Sequence, residues 1–192
     1  MSRNRIEAFS DGVFAIIITI MVLEFRVPHT SDWLALKDLL PVFFSYALSF
    51  MFVGIYWGNH HHLLHTATKV SSAIIWSNLN LLFWLSLIPF ATGWMGENHF
   101  AQNPVIVYAV LLLMCGVAYS ILRKAIEKHH NKESEISKAL QKLRAKEYTS
   151  VISYSASIAF AFLDPHISGV IFLFVAILWI IPDKNIEKAL TE

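Results

Sequence analysis

The sequence predicts an all-α integral membrane protein with six transmembrane helices, and three observations predict it. Its residues are 56% hydrophobic and only 15% charged, with a mean hydropathy of +0.53. A soluble domain is less apolar, at about 45 to 50% even with glycine counted. The apolar residues gather into stretches separated by short polar turns and one long charged block. When the stretches are threaded back and forth across a bilayer, all but Arg26 and Lys37 of the 15 Lys and Arg fall on the side of the N-terminus. That asymmetry places both termini in the cytoplasm.

The first stretch, Arg5 to Phe25, is long enough to cross, since about 20 residues at 1.5 Å rise span the hydrocarbon core. A signal peptide is not expected, because Asp11 interrupts the apolar run and no small-residue cleavage site follows Phe25. Pro28 and the polar run His29 to Asp32 end this helix. The second span is expected from about Leu39 to Trp57, the third from Ser72 to Met95 and the fourth from Val105 to Leu122. Thr149 to Leu163 and Ile167 to Ile181 make a fifth and a sixth, both short for a bilayer. Both are expected either to continue the helix that precedes them or to sit where the membrane thins. Four spans with a re-entrant pair is the competing layout. The chain reads as one domain, residues 1–192, with a charged, helical, cytoplasmic segment at about 123–148. Within that segment Ile136, Leu140 and Leu143 recur at amphipathic spacing.

Several function classes are excluded or weakened. A net charge of +1 gives no argument for nucleic acid or an acidic substrate. The single cysteine, Cys115, lies in an apolar run and reads as a small buried hydrophobe. No Ser/His/Asp triad assembles, because Asp164 and His166 lie at the outer turn and Ser10 near the inner face. An enzyme is therefore not expected. Spans two to six carry no carboxylate in their apolar cores, which leaves a coupled transporter with Asp11 and Glu7 alone. No Thr-Val-Gly-Tyr-Gly filter occurs either, so a ring of backbone carbonyls is not on offer.

The charges on the first span carry the most information. Arg5, Glu7 and Asp11 each cost roughly 2.5 to 3.5 kcal/mol at the centre of an isolated span, so they must face protein or water and find partners. On a helical wheel Arg5, Phe9, Gly12, Ile16, Ile20 and Leu23 follow steps of three and four. One stripe thus passes from polar and small to large and aliphatic, as the wall of a pore does. Packing of Ile16, Ile20 and Leu23 against spans two and three is the competing account.

Arg5, Phe9, Ser10, Asp11 and Gly12 match an Arg-x-x-x-Phe-Ser-Asp-Gly signature. On that motif the chain resembles the transmembrane protein 175 family of potassium channels, and the six-span layout agrees over essentially its whole length. The resemblance implies that the first helix lines the pore. By register from the motif, Ile16, Ile20 and Leu23 would form the constriction, with Thr19 beside the narrowest layer and contributing to selectivity. The larger animal members carry two six-span repeats and are dimers. The single motif here implies a homotetramer of the prokaryotic kind, in a cell (plasma) membrane, passing potassium ions and using no cofactor. Such a stack of aliphatic rings closes by dewetting. Glu24 reads either as negative charge at the outer mouth or as a partner of Arg26.

A second cluster, His60, His61, His62 and His65, falls at the inner end of the second span. His61 and His65 have the i, i+4 spacing that holds zinc on a helix face. From Leu39 to Gly96 no Asp or Glu supplies a third ligand, so no metal site is expected. A polar network is preferred instead, in which His60, His61, Trp76, Asn78 and Asn80 satisfy the signature motif. The alternative function is a proton- or ion-coupled membrane transporter using Asp11 and the histidines; a third is a scaffold in which the motif only locks a helix bundle.

Overall fold

The computed structural model describes residues 2–131 and 133–180, and these are helical nearly throughout. Seven α-helices follow in order: α1 Arg3–Val22, α2 Leu40–His65, α3 Ser72–Ser86, α4 Ile88–Glu97, α5 Gln102–Glu127, α6 Glu135–Phe160 and α7 Pro165–Ile180. A short 3₁₀ turn, Trp33–Leu36, lies between α1 and α2, and the Asp32 side chain caps it by accepting from the Leu34 N–H. The ends of the predicted sixth span at Ile181, and Lys132, Lys184 and Lys188 of the basic residues, lie outside the described residues.

Among the described residues three rods are long and apolar enough to cross a membrane: Leu40–His65, Ser72–Glu97 and Gln102–Glu127, with mean hydropathies of 1.6, 1.5 and 2.5. Each has 26 residues, about 39 Å at 1.5 Å per residue. The middle rod is α3 and α4 joined at Leu87. Pro89 sits in the first turn of α4, where its missing N–H interrupts the hydrogen-bond ladder. The α2 helix runs eight residues beyond the expected end at Trp57, carrying all four histidines of the cluster.

The charged block is not a separate linker. Ser134 caps α6 by accepting from the Ser137 N–H, and Glu135 in the first turn pairs with Lys138 at 2.6 Å. That lysine holds the Glu135 carboxyl below its usual range. From there α6 runs unbroken into the predicted fifth span. Leu140 and Leu143 are buried, with Ile136 packed beside them.

The core is organised on α5, which packs against α3, α4, α6 and α7. Its buried face runs from Val105 through Tyr108, Leu112, Cys115 and Tyr119 to Ile126, so Cys115 is a buried thiol as expected. Polar groups in this core are paired: Thr92 donates to Ser49 at 2.6 Å, and Ser49 and Tyr108 share a hydrogen bond of 2.8 Å. At the end of α5 the Arg123 guanidinium is fully buried. Its Nε and Nη2 donate to the two carboxylate oxygens of Glu147 on α6 at 2.6 and 3.0 Å. Its Nη1 donates to Glu127 at 2.6 Å, and Glu127 in turn takes Arg144 at 3.0 Å. Two arginines and two glutamates thus close the α5–α6 joint with no net charge.

Close helix approach is made by Gly96 of α4. A Cβ on Gly96 would meet Ser45 Oγ and lie 2.8 Å from Val42 Cα on α2. A Cβ on Gly12 or Gly54 would meet nothing within 4 Å.

Candidate functional site

The first helix divides its residues between two faces. Ile6, Ser10, Phe14, Ile17 and Met21 recur every three or four residues and are buried against α2, α3 and α4. Arg5, Phe9, Gly12, Ile16, Thr19, Ile20 and Leu23 follow another part of the wheel, and all of these are exposed, as are Asn4, Ala8, Ala15 and Val22 beside them. Ile16 is 57% accessible, Ile20 43% and Leu23 77%, so none of the three packs against α2 or α3 within the subunit. Thr19 Oγ donates to the Ile16 carbonyl at 2.9 Å, which leaves the hydroxyl oxygen's lone pairs on the open face.

The signature motif is split by the same division. Ser10 and Asp11 turn inward or sideways to protein partners, whereas Arg5, Phe9 and Gly12 belong to the open stripe. Asn78 Nδ2 donates to Ser10 Oγ at 3.0 Å, and Ser10 donates onward to the Ile6 carbonyl at 2.8 Å. His60 Nε2 lies 2.6 Å from Asn78 Oδ1. Because the Asn78 amide nitrogen is already a donor, its oxygen must accept, so His60 carries its proton on Nε2. All three side chains are buried, and the His60 ring lies 5.5 Å from that of Phe14.

A second set of contacts runs along the seam between α1 and α2. Arg3 Nη1 donates to the His65 carbonyl at 3.2 Å, and Glu7 Oε1 lies 3.5 Å from His61 Nδ1 and 3.4 Å from His65 Nε2. Asp11 Oδ1 accepts from Trp57 Nε1 at 2.9 Å. Residues 3, 7 and 11 on one helix therefore meet 65, 61 and 57 on the other, one turn at a time in antiparallel register.

Two residues expected in this network stand outside it. Trp76 is 72% exposed and Asn80 is half-buried with no side-chain partner among the described residues. The reason is angular: at about 100° per residue, positions 76 and 80 lie roughly 200° from 78, on the far side of α3. Trp57, which was expected only as the last residue of its span, takes the place assigned to Trp76. Among the described residues Arg5 has no side-chain partner inside the subunit.

At the opposite end Arg26 pairs with Glu97 at 2.7 Å, not with Glu24. Glu24 folds its carboxylate over Gly93, where an added Cβ would come within 2.5 Å of Oε2. Asp164 and His166 do meet, at 3.0 Å, in an exposed turn far from Ser10. The His166 backbone N–H holds the Asp164 carboxyl below its usual range.

Comparison with known proteins places this architecture. Residues 5–89 match the family model described as "Endosomal/lysosomal potassium channel TMEM175", a match that begins on the first motif residue. A potassium channel of Chryseobacterium sp. (strain P1-3) is 52% identical over 192 residues, covering 100% of both chains. The chain belongs to the TMEM175 family. The TMEM175 family is one of ion channels, not of enzymes, and this member is of the single-repeat, prokaryotic type. The TMEM175 proton channel of Gallus gallus is 33% identical over 140 residues, which cover 66% of this chain and 28% of that protein. The crystal structure of a lysosomal potassium-selective channel TMEM175 homolog from Chamaesiphon minutus superposes with a TM-score of 0.82 at 26% identity, over 94% of this chain and 97% of that one.

Proposed function

We propose that this TMEM175 chain is one subunit of a potassium-selective channel, moderately selective among monovalent cations, in which four identical copies bring their first helices around a common axis. One observation carries the reading. The aliphatic stripe Ile16, Ile20 and Leu23 is exposed on a face of α1 apart from the one that Ile6, Ser10, Phe14, Ile17 and Met21 bury inside the subunit, and it is therefore free to face a pore axis shared with other copies. Large apolar side chains facing one another across an axis close a pore by excluding water, and they reopen it when the helices separate. Thr19, with its proton held by the Ile16 carbonyl, offers an oxygen to a partly dehydrated cation beside that constriction.

Ser10, Asp11, His60, His61, Asn78 and Trp57 hold the helix in this orientation, and Arg5 is left for a partner on a neighbouring subunit. The one domain of residues 1–192 crosses the cell membrane six times with both termini in the cytoplasm. The Arg123–Glu147 joint and the first half of α6 then lie at the cytoplasmic surface. Potassium is the permeating ion, and no cofactor is required.

A proton- or ion-coupled reading keeps one support, since TMEM175 of Gallus gallus is named a proton channel. It would run through Asp11, whose Oδ1 accepts from Trp57 at the seam between α1 and α2. Ion flux into liposomes containing the purified chain separates the readings. Passive potassium flux exceeding sodium flux, and altered in size or selectivity by Ile16→Asn, is expected. Flux that appears only with a proton gradient and vanishes in Asp11→Asn refutes the channel.

A further inference from the structure

We propose that Glu7, His61 and His65 form a binding site for a divalent transition-metal ion of the zinc type, bridging α1 to α2. The two histidines stand one turn apart with ring centroids separated by 4.6 Å, and the glutamate enters from the facing helix. One oxygen of Glu7 and one nitrogen of each ring all lie within 4.8 Å of one another. From Glu7 Oε1 it is 3.5 Å to His61 Nδ1 and 3.4 Å to His65 Nε2. Zinc bonds of about 2.0 to 2.1 Å at tetrahedral angles set neighbouring ligand atoms about 3.3 to 3.4 Å apart. Two edges of a coordination tetrahedron are therefore already in place.

An ordinary ion pair accounts poorly for this geometry. Glu7 Oε1 is sealed from solvent and accepts no hydrogen bond, the one such buried side-chain atom among the described residues. A carboxylate oxygen removed from water and left unsatisfied is costly, by about 1 to 3 kcal/mol or more. A cation between it and the two imidazole nitrogens supplies the missing interaction. The donor set also selects the ion. Two imidazoles and one carboxylate suit zinc and its neighbours, whereas magnesium and calcium take oxygen ligands. Both histidines are partly exposed, so the fourth position is open to water. Trp57 stacks on His61 and Arg3 holds the His65 carbonyl, so the outer contacts steady the ligands.

The test uses the purified full-length chain in detergent, with zinc titrated by calorimetry and cobalt(II) as an optical probe. One zinc per chain is expected, together with the strong visible absorption of four-coordinate cobalt, displaced by zinc. Glu7→Gln keeps the shape of the side chain and removes its charge. It should weaken zinc binding at least about tenfold, since even loss of an outer-shell partner costs a metal site 10- to 100-fold. His65→Gln should do the same and His62→Gln should not. No binding to the native chain, or affinity unchanged in Glu7→Gln, overturns the proposal. The weak absorption of six-coordinate cobalt in the native chain also overturns it, and that reading depends on no variant.

Discussion

Glu147→Leu tests whether the α5–α6 joint is a buried charge network or a solvated one. In the native chain Arg123 is 0% exposed and Glu147 8%, and two of the arginine's N–H groups end on that carboxylate. The substitution strands those two donors in the protein. A hydrogen bond to a charged group contributes about 1.5 to 3 kcal/mol, which gives about 3 to 6 kcal/mol for the pair, and breaking one side of a buried ion pair costs about 3 to 5. Glu127 still neutralises Nη1, so the low end, about 3 kcal/mol, is the expected loss. At about 2 to 4 °C per kcal/mol for a chain of this size, Tm should fall by about 6 to 12 °C in detergent. The double variant Arg123→Met with Glu147→Leu should recover most of it, because Glu127 keeps Arg144 and no buried charge is left alone. If Glu147→Leu unfolds within about 1 kcal/mol of native, the pair is screened as a surface salt bridge is, and the reasoning fails.

Asn78→Leu removes the acceptor of His60 and the donor to Ser10 and should cost about 2 kcal/mol in thermal unfolding. Asn80→Leu, on the far face, should stay within about 0.5 kcal/mol of native in the same assay. Gly96→Ala drives a Cβ against the backbone of Val42 and should destabilise by about 1 to 3 kcal/mol. His99→Gly should stabilise by about 1 kcal/mol, since His99 holds a φ of 50° that L side chains adopt at a cost. In liposome flux, Thr19→Val should keep conduction while moving the potassium-to-sodium ratio toward unity; an unchanged ratio removes Thr19 from the selectivity layer.

Hydropathy and helical period marked the apolar rods and the amphipathic start of α6, because both signals are local. The break at Leu87 was legible only in retrospect, as Pro89 inside an otherwise uniform apolar run. Pairings between helices were harder. Arg3, Glu7 and Asp11 form one i, i+4 ladder and Trp57, His61 and His65 another, each readable alone. Their mutual register depends on how α1 and α2 cross. A carboxylate near the histidine pair was sought between Leu39 and Gly96, yet the one that stands 3.5 Å from His61 and 3.4 Å from His65 is Glu7, on the preceding helix. Asn78 and Asn80 are indistinguishable by composition and differ only by about 200° of rotation. Arg123 reads as one more basic residue of the charged cytoplasmic segment; its burial follows from the return of α6 along α5, which no pattern within α5 announces.

The proton of Thr19 is committed to the carbonyl one turn back along its own helix. Four such hydroxyls around an axis would present oxygen lone pairs and no hydrogen-bond donor, so the ring has a polarity although it carries no charge. Chloride, which is solvated by donors, would find nothing there to replace its water, while a cation would find acceptors on every side. Sorting ions by sign at that level would then need no ionised group and would be indifferent to pH, because nothing in the ring titrates.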